Sequence, residues 1–286
     1  MKNFKKHALA TAVALSMGAA GAAQAGTVLS QMFGGFQQFS DNSAEFLINA
    51  PGTGVNTVDV GDRLHGIFSF QTIEQAPATH SIGAGSGNNE LTGVFDITVT
   101  GKAGGPGAFT YTFGPTAGWA AANGYAAGAM IAFYEDAANN YSRVRVVPGD
   151  TVATLETTAV GGNLFWVSGF NAGDPNFWNA NSITDDIITL GNLPAPGIGG
   201  GYNAGLTLLT NNSGAAFNKV ACFNNVANVQ VDQCFSGSLL AKGGADTPFD
   251  SFDNVDLTMN RVPEPATMAL LGLGLLGLAA SRRRKG

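Results

Sequence analysis

The chain has 286 residues, 40 of them glycine, and its 14 basic and 20 acidic residues give a formal net charge of −6. Residues 26–262 hold seven of the basic and 19 of the acidic residues, so this part of the chain is close to −12. Because such an acidic surface repels phosphate groups, we exclude nucleic acid and anionic lipid as partners of this part.

The first 25 residues have the pattern of a secretory signal peptide. MKNFKKH is basic, ALATAVALSMGAAGA is apolar, and Ala23-Gln24-Ala25 is a small-residue cleavage site. We therefore expect export through the Sec translocase, cleavage by signal peptidase and a mature chain that begins at Gly26. No cysteine follows the cleavage point, so an N-terminal lipid anchor is not expected.

Residues 26–261 read as one β-rich secreted domain. FDITVT at 95–100 and FTYTF at 109–113 alternate apolar and polar residues, as half-buried strands do. Strands separated by turn-rich connections favour an all-β domain of the β-sandwich type, with AGWAAANGYAAGAM as one short helix and the glycine-rich stretch 194–201 as a loop inside the domain. Further strands are predicted in RLHGIFSF, MIAFY, RVRVV, LFWVSGF, DIITL, GLTLL and VDLTM.

The two cysteines, Cys222 and Cys234, predict a disulfide bond. They are 12 residues apart in an exported chain, a separation that suits partners across a β-hairpin or a broad loop. A redox-active or metal-binding pair is the alternative, but the CxxC spacing and a neighbouring histidine are both missing.

Catalytic motifs are missing from the sequence, so we expect no enzyme and no organic cofactor. His65 and His80 are the only histidines after the signal peptide, and we interpret both as ordinary strand or loop residues. Asp185 and Asp186 are the nearest thing to an acid/base pair, but neighbours on a strand point to opposite faces. A hydrolase with carboxylates drawn from distant strands stays open as an alternative.

Two features suggest binding of carbohydrate or Ca²⁺. DTPFDSFDNVDLTMN carries Asp246 and three more aspartates, and its FDNV part resembles the last strand of jelly-roll, carbohydrate-binding β-sandwiches, which can border a Ca²⁺ site. Phe177 and Trp178 lie in an asparagine-rich segment that we interpret as a loop, where flat rings could pack against sugars. A charged strand edge and a cap on the core are the alternatives. The Ca²⁺ candidates are Asp250, Asp253 and Asp256.

The chain ends in VPEPATMALLGLGLLGLAASRRRKG, residues 262–286. Val262 and Glu264 each precede a proline and are therefore held in extended backbone. The apolar run 266–280 is 15 residues long, short beside the roughly 20 of a comfortable membrane span. We predict a short transmembrane helix whose basic flank stays in the cytoplasm, namely Arg282, Arg283, Arg284 and Lys285.

This tail resembles the PEP-CTERM sorting signal, with Pro263, Glu264 and Pro265 as its motif. The resemblance implies a Gram-negative-type bacterium, transient anchoring in the inner membrane and cleavage by exosortase, with transfer of the body to the outer surface or the extracellular matrix. It also implies association with exopolysaccharide, biofilm or floc formation. A permanent membrane anchor is the alternative for the tail, and a lectin-like module, with or without Ca²⁺, is the alternative for the body.

Overall fold

The computed structural model describes residues 27–83, 85–137, 141, 151–191, 198–240 and 249–263. The all-β prediction is confirmed, because 56% of the residues are in strands and 9% in helices. The strands are β1 (Gly35–Ile48), β2 (Arg63–Gln75), β3 (Ala78–Ser81), β4 (Glu90–Ala103), β5 (Phe109–Pro115), β6 (Ala129–Asp136), β7 (Asn163–Gly169), β8 (Phe177–Ser182), β9 (Ile198–Asn211), β10 (Phe217–Asn218), β11 (Val220–Phe223), β12 (Asn228–Val231), β13 (Gln233–Leu240) and β14 (Ser251–Arg261). The helices are α1 (Val28–Gln31), α2 (Trp119–Ala122), α3 (Val152–Ala159) and α4 (Ile187–Gly191).

Twelve strands form one antiparallel sheet that closes on itself. Its hydrogen-bonded path runs β2-β1-β14-β13-β9 and reaches β4 by two routes, through β7 and β6 or through β8 and β5, and β4 also pairs with β2. β4 makes this possible because its first half pairs with β6 and its second half with β5. β9 likewise divides its length between β8 and β7. Closure leaves the sheet with an interior and an outer face.

The interior holds the larger hydrophobic core. β14 shows why: buried and half-buried residues alternate along its whole length, so every second side chain points inward. Trp166 is fully buried and contacts Phe39 and Phe133 edge to face at centroid distances of 5.9 and 5.6 Å. Such pairs add about 0.5–1.5 kcal/mol beyond the burial of their area.

A second core lies on the outer face of the sheet, under α2 and α3. α3 begins with a capping box in which Thr151 and Thr154 satisfy each other's backbone N–H groups. It buries Leu155 and Ala159, and the Ala159 carbonyl accepts a hydrogen bond from Thr92 Oγ1 of β4 at 2.7 Å. The outer face is thus covered by helix over part of the sheet.

Most predicted strands are present, but DIITL at 186–190 is not a strand. It forms α4, because the Asp186 carboxylate accepts the Thr189 N–H at 3.0 Å and thereby caps the first turn. The predicted helix in AGWAAANGYAAGAM is confirmed only over α2, after which the chain enters β6. Gly200 and Gly201 lie within β9, whereas RVRVV lies outside the described residues.

Candidate functional site

The interior of the closed sheet contains a cavity of about 80 Å³ between the strands and α4. Its surface is mainly apolar, with aromatic side chains making up about a third of the lining residues, and Ile187 and Leu190 of α4 are part of the lining. Trp178 stacks on Tyr202 at a centroid distance of 5.9 Å. A Cβ at Gly237 of β13 would be 2.0 Å from the Asn254 carbonyl oxygen and 2.4 Å from Tyr202 Cε1, so this position requires glycine.

One side of this cavity is acidic. Ser43 and Glu45 of β1 line it together with Ser251 and Asp253 of β14, and the two strands pair Ser43 with Asp253 and Glu45 with Ser251. Ser43 donates a hydrogen bond to Asp253 at 2.8 Å, and Ser251 donates to Glu45. Burial, and then the charges of Asp253 and Glu45, raise the pKa of Tyr202 well above its ordinary value. Two acidic side chains therefore lie buried in the wall of a mainly apolar cavity.

Tyr111 lines the same cavity from β5. Its side chain is 5% exposed, and its hydroxyl has no hydrogen-bond partner among the described residues. Across the sheet it pairs with Ala180 of β8, another residue of the cavity wall. Burial raises the pKa of Tyr111 to about 12, so its hydroxyl keeps its proton at neutral pH and is able to donate it.

The outer face carries an ion-pair cluster beneath α3. Arg63 donates to Asp96 through Nε at 3.0 Å and through Nη2, while His65 contacts Asp96 through Nδ1 at 3.0 Å and Glu156 of α3 through Nε2 at 3.4 Å. Burial alone would lower the pKa of His65, but Asp96 and Glu156 outweigh it and raise the pKa to about 9. The imidazole is therefore protonated at neutral pH and joins α3 to the sheet.

Asp96 at the centre of this cluster is fully buried. Burial would raise its pKa, but the hydrogen bonds from His65 and Arg63 hold the pKa below its usual value. The sequence interpretation of His65 as an ordinary strand residue missed this cluster. The alternating RLHGIF pattern places Arg63 and His65 on one face of β2, but only the pairing of β2 with β4 brings Asp96 to them.

Asp185 and Asp186, which the sequence analysis rejects as an acid/base pair, bond different partners. Asp185 bonds Lys102 at 2.8 Å, and the same ammonium bonds Asp59 at 2.8 Å. Asp186 instead caps α4 and pairs with Thr57 through its backbone. These bonds assign both aspartates to holding α4 and the neighbouring loops in place.

The Ca²⁺ candidates are spread over the start and both faces of β14. Asp253 points inward and Asp256 lies on the alternate, half-buried side, because their separation of three residues is odd. Asp250 precedes the strand and accepts the Leu47 N–H at 2.9 Å. No group of three or more acidic, histidine or cysteine side chains with metal-binding spacing occurs among the described residues. Asp246 lies outside them.

Phe177 and Trp178 lie in a strand, not in a loop. Both belong to β8, which is held between β5 and β9. Trp178 is 8% exposed and packs among Phe95, Phe113 and Tyr202 in the interior. The asparagine-rich composition favoured a loop, but two neighbouring strands supply the hydrogen bonds that fix this segment as a strand.

The predicted disulfide bond between Cys222 and Cys234 is confirmed, with a Cα–Cα distance of 5.4 Å. Cys222 lies in the β11–β12 hairpin opposite Val229, and Cys234 lies in β13. The bond therefore fastens the hairpin to the main sheet and does not cross the hairpin itself. The hairpin tip is exposed, with Phe223 51% and Val226 87% accessible.

The start and the end of the described chain meet at one corner. Arg261, at the end of β14, is buried and donates to the carbonyls of Leu29, at 3.0 Å, and Met32. The Val262 N–H donates to the Ala216 carbonyl at 2.8 Å. The fold thus holds the chain firmly up to the residues where the terminal segment begins.

Other predicted terminal sites lie outside the described residues. They are the cleavage residues Ala23, Ala25 and Gly26, the motif residues Glu264 and Pro265, and the basic cluster from Arg282 to Lys285. Within the part of the chain that is described, no helix is long and apolar enough to cross a membrane.

Comparison with known proteins identifies the C-terminal segment. The family model of the PEP-CTERM protein-sorting motif matches residues 261–285. The chain therefore carries this sorting motif, which indicates an exported cell-surface protein that exosortase processes during export. No curated protein and no solved structure gives a significant match.

Proposed function

We propose that the protein is a non-enzymatic component of the extracellular matrix, held in or near exopolysaccharide after exosortase processing. The PEP-CTERM motif at residues 261–285 is the observation that carries this proposal. The closed antiparallel sheet and the disulfide bond between Cys222 and Cys234 supply the durability that a matrix protein needs. In this role the body contributes to cell aggregation in biofilm or floc.

The test compares cells that produce the full chain, a variant without residues 262–286, or the control Met268→Leu, which keeps the apolar run. We expect the full chain and the control in the surface and matrix fractions, and the truncated variant in the periplasm. Flocculation should fall when the gene is deleted and return with the full chain. Unchanged aggregation, together with no protein in the matrix fraction, would contradict the proposal.

A second candidate function is lectin-like carbohydrate binding, with or without Ca²⁺. The exposed ring of Phe223 favours it, because the disulfide bond of the neighbouring Cys222 holds the ring on a fixed hairpin. Asn224 and Asn225 follow it directly, and Asn179 of β8 donates to the Asn224 carbonyl at 3.1 Å. A flat ring beside amide groups is suited to the apolar face and the hydroxyls of a sugar.

Glycan-array binding by the exported protein tests this candidate, with Phe223→Ala as the variant and Phe33→Ala as an equally exposed control. Loss of binding in Phe223→Ala alone supports a hairpin site. Repeating the array with Ca²⁺ and with a chelator shows whether glycan binding depends on Ca²⁺. If no glycan binds under either condition, carbohydrate recognition by the body is wrong.

A further inference from the structure

The cavity inside the closed sheet combines three properties that favour the binding of a small molecule. It has a volume of about 80 Å³, its surface is mainly apolar, and it is lined by Tyr111, whose buried hydroxyl has no partner among the described residues. An unsatisfied buried hydroxyl costs roughly 1–3 kcal/mol, whereas phenylalanine would fill the same space without that cost. The cost is recovered if a bound molecule supplies the missing hydrogen bond.

We propose that this cavity is a binding site for a small, uncharged, mainly apolar molecule that carries one hydrogen-bonding oxygen, such as a phenol or a cyclic alcohol. The Tyr111 hydroxyl bonds that oxygen, while Trp178 and Phe113 pack against the apolar part. This site is separate from the exposed hairpin and from the sorting motif, and it does not depend on the matrix role.

The size of the cavity limits the ligand to about one small ring. An engineered apolar cavity of about 150 Å³ accepts benzene, so a cavity of about 80 Å³ admits a single ring only with small shifts of its walls. A sugar fits poorly, because its ring with several hydroxyls is larger than benzene and the surface of the cavity is mainly apolar.

The charge of the cavity further limits the ligand. Glu45 and Asp253 lie within its wall, 3% and 7% exposed, on two paired strands. An anion would lose its hydration on entering this mainly apolar cavity and would meet two acidic side chains there. The cavity therefore selects neutral molecules over fatty acids and other carboxylates.

The experiment uses the exported protein and three probes of similar ring size, namely phenol, benzene and benzoate, with binding measured by calorimetry and by saturation-transfer NMR. Phenol is neutral at pH 7, as the tyrosine side chain is. We expect phenol to bind about fivefold more tightly than benzene, the effect of one modest hydrogen bond. Benzoate should bind at least tenfold more weakly than phenol.

Two variants locate the binding. Tyr111→Phe removes the hydroxyl and keeps the ring, so the preference for phenol over benzene should disappear while benzene still binds. Ala180→Leu extends a side chain next to Tyr111 and should abolish binding of both probes. Tyr134→Phe is the matched control: its hydroxyl bonds Tyr125 on the outer face, so its loss should leave the phenol preference unchanged.

The proposal is overturned if neither phenol nor benzene binds the wild-type protein. It is also overturned if both bind but the phenol preference survives Tyr111→Phe. If Ala180→Leu does not fold, judged by near-ultraviolet circular dichroism, the Tyr111→Phe result decides alone, since that substitution adds no atoms.

Discussion

The two faces of the closed sheet both bury polar groups, but they treat them differently. On the outer face Asp96 is bonded by Arg63 and His65, and Tyr125 is bonded by Tyr134. On the inner face the Tyr111 hydroxyl lacks a described partner and lies beside open volume. The outer cluster joins α3 to the sheet and Ser43 bonds Asp253 on the inner face, whereas the Tyr111 hydroxyl is the group that we propose bonds a ligand.

The largest expected effect comes from breaking the outer cluster at Asp96. Asp96→Asn removes the carboxylate that the buried His65 imidazolium and the partly exposed Arg63 guanidinium share. Removing one partner of a buried ion pair costs about 3–5 kcal/mol of unfolding free energy. Urea unfolding measures it, and Asp256→Asn on β14 is the half-buried control. A loss below about 1 kcal/mol would show that the cluster is not structural.

The second effect is a pH dependence of stability through His65. Its folded pKa of about 9 exceeds the ordinary histidine value of 6.5, so the stabilisation is complete below pH 6.5 and is lost as the pH rises through 9. The shift corresponds to about 3 kcal/mol. Urea midpoints measured between pH 6 and pH 10 should fall in the wild type.

His65→Gln provides the control for this pH series. The variant should be less stable at pH 6 and show a flatter profile, because glutamine keeps hydrogen bonds but does not titrate. A wild-type profile that is already flat from pH 6 to pH 10 would contradict the raised pKa.

The third effect is the loss of stability when a larger side chain is introduced into the packed outer core or beside the cavity. Ala132 is fully buried in the outer core, so Ala132→Leu should cost about 1–3 kcal/mol through overpacking. Ala180→Leu adds the same atoms beside the cavity and should cost less than 1 kcal/mol. Equal losses in the two variants, measured by thermal unfolding, would mean that the cavity offers no usable room.

The smallest effect compares two hydroxyl deletions. Tyr134→Phe loses the bond to Tyr125 and should cost about 1 kcal/mol. Tyr111→Phe loses no described bond, so its stability should be unchanged or slightly higher without ligand. A destabilisation of Tyr111→Phe equal to that of Tyr134→Phe would indicate that the Tyr111 hydroxyl is already bonded within the protein.

The strands were predictable where alternation was strong, and the exceptions have local causes. FDITVT and FTYTF form parts of β4 and β5 as predicted, because the alternation of apolar and polar residues is a local pattern of strands. DIITL has strand-like composition but became α4, since the Asp186 side chain caps its first turn. Trp178 was assigned to a loop because asparagines surround it, and only pairing with distant strands made it part of the interior.

The sequence by itself determined the terminal sorting motif, the all-β class and the pairing of the only two cysteines. These depend on short contiguous patterns or on counting, so no long-range contact is needed to recognise them. The tertiary structure alone decided that β4 and β9 would each change partners and close the sheet. The folded sheet brings Tyr111, Glu45 and Asp253 to one cavity, although their strands are far apart in the sequence. The sequence does not reveal this, because the register across a sheet is set by the packing of the whole core.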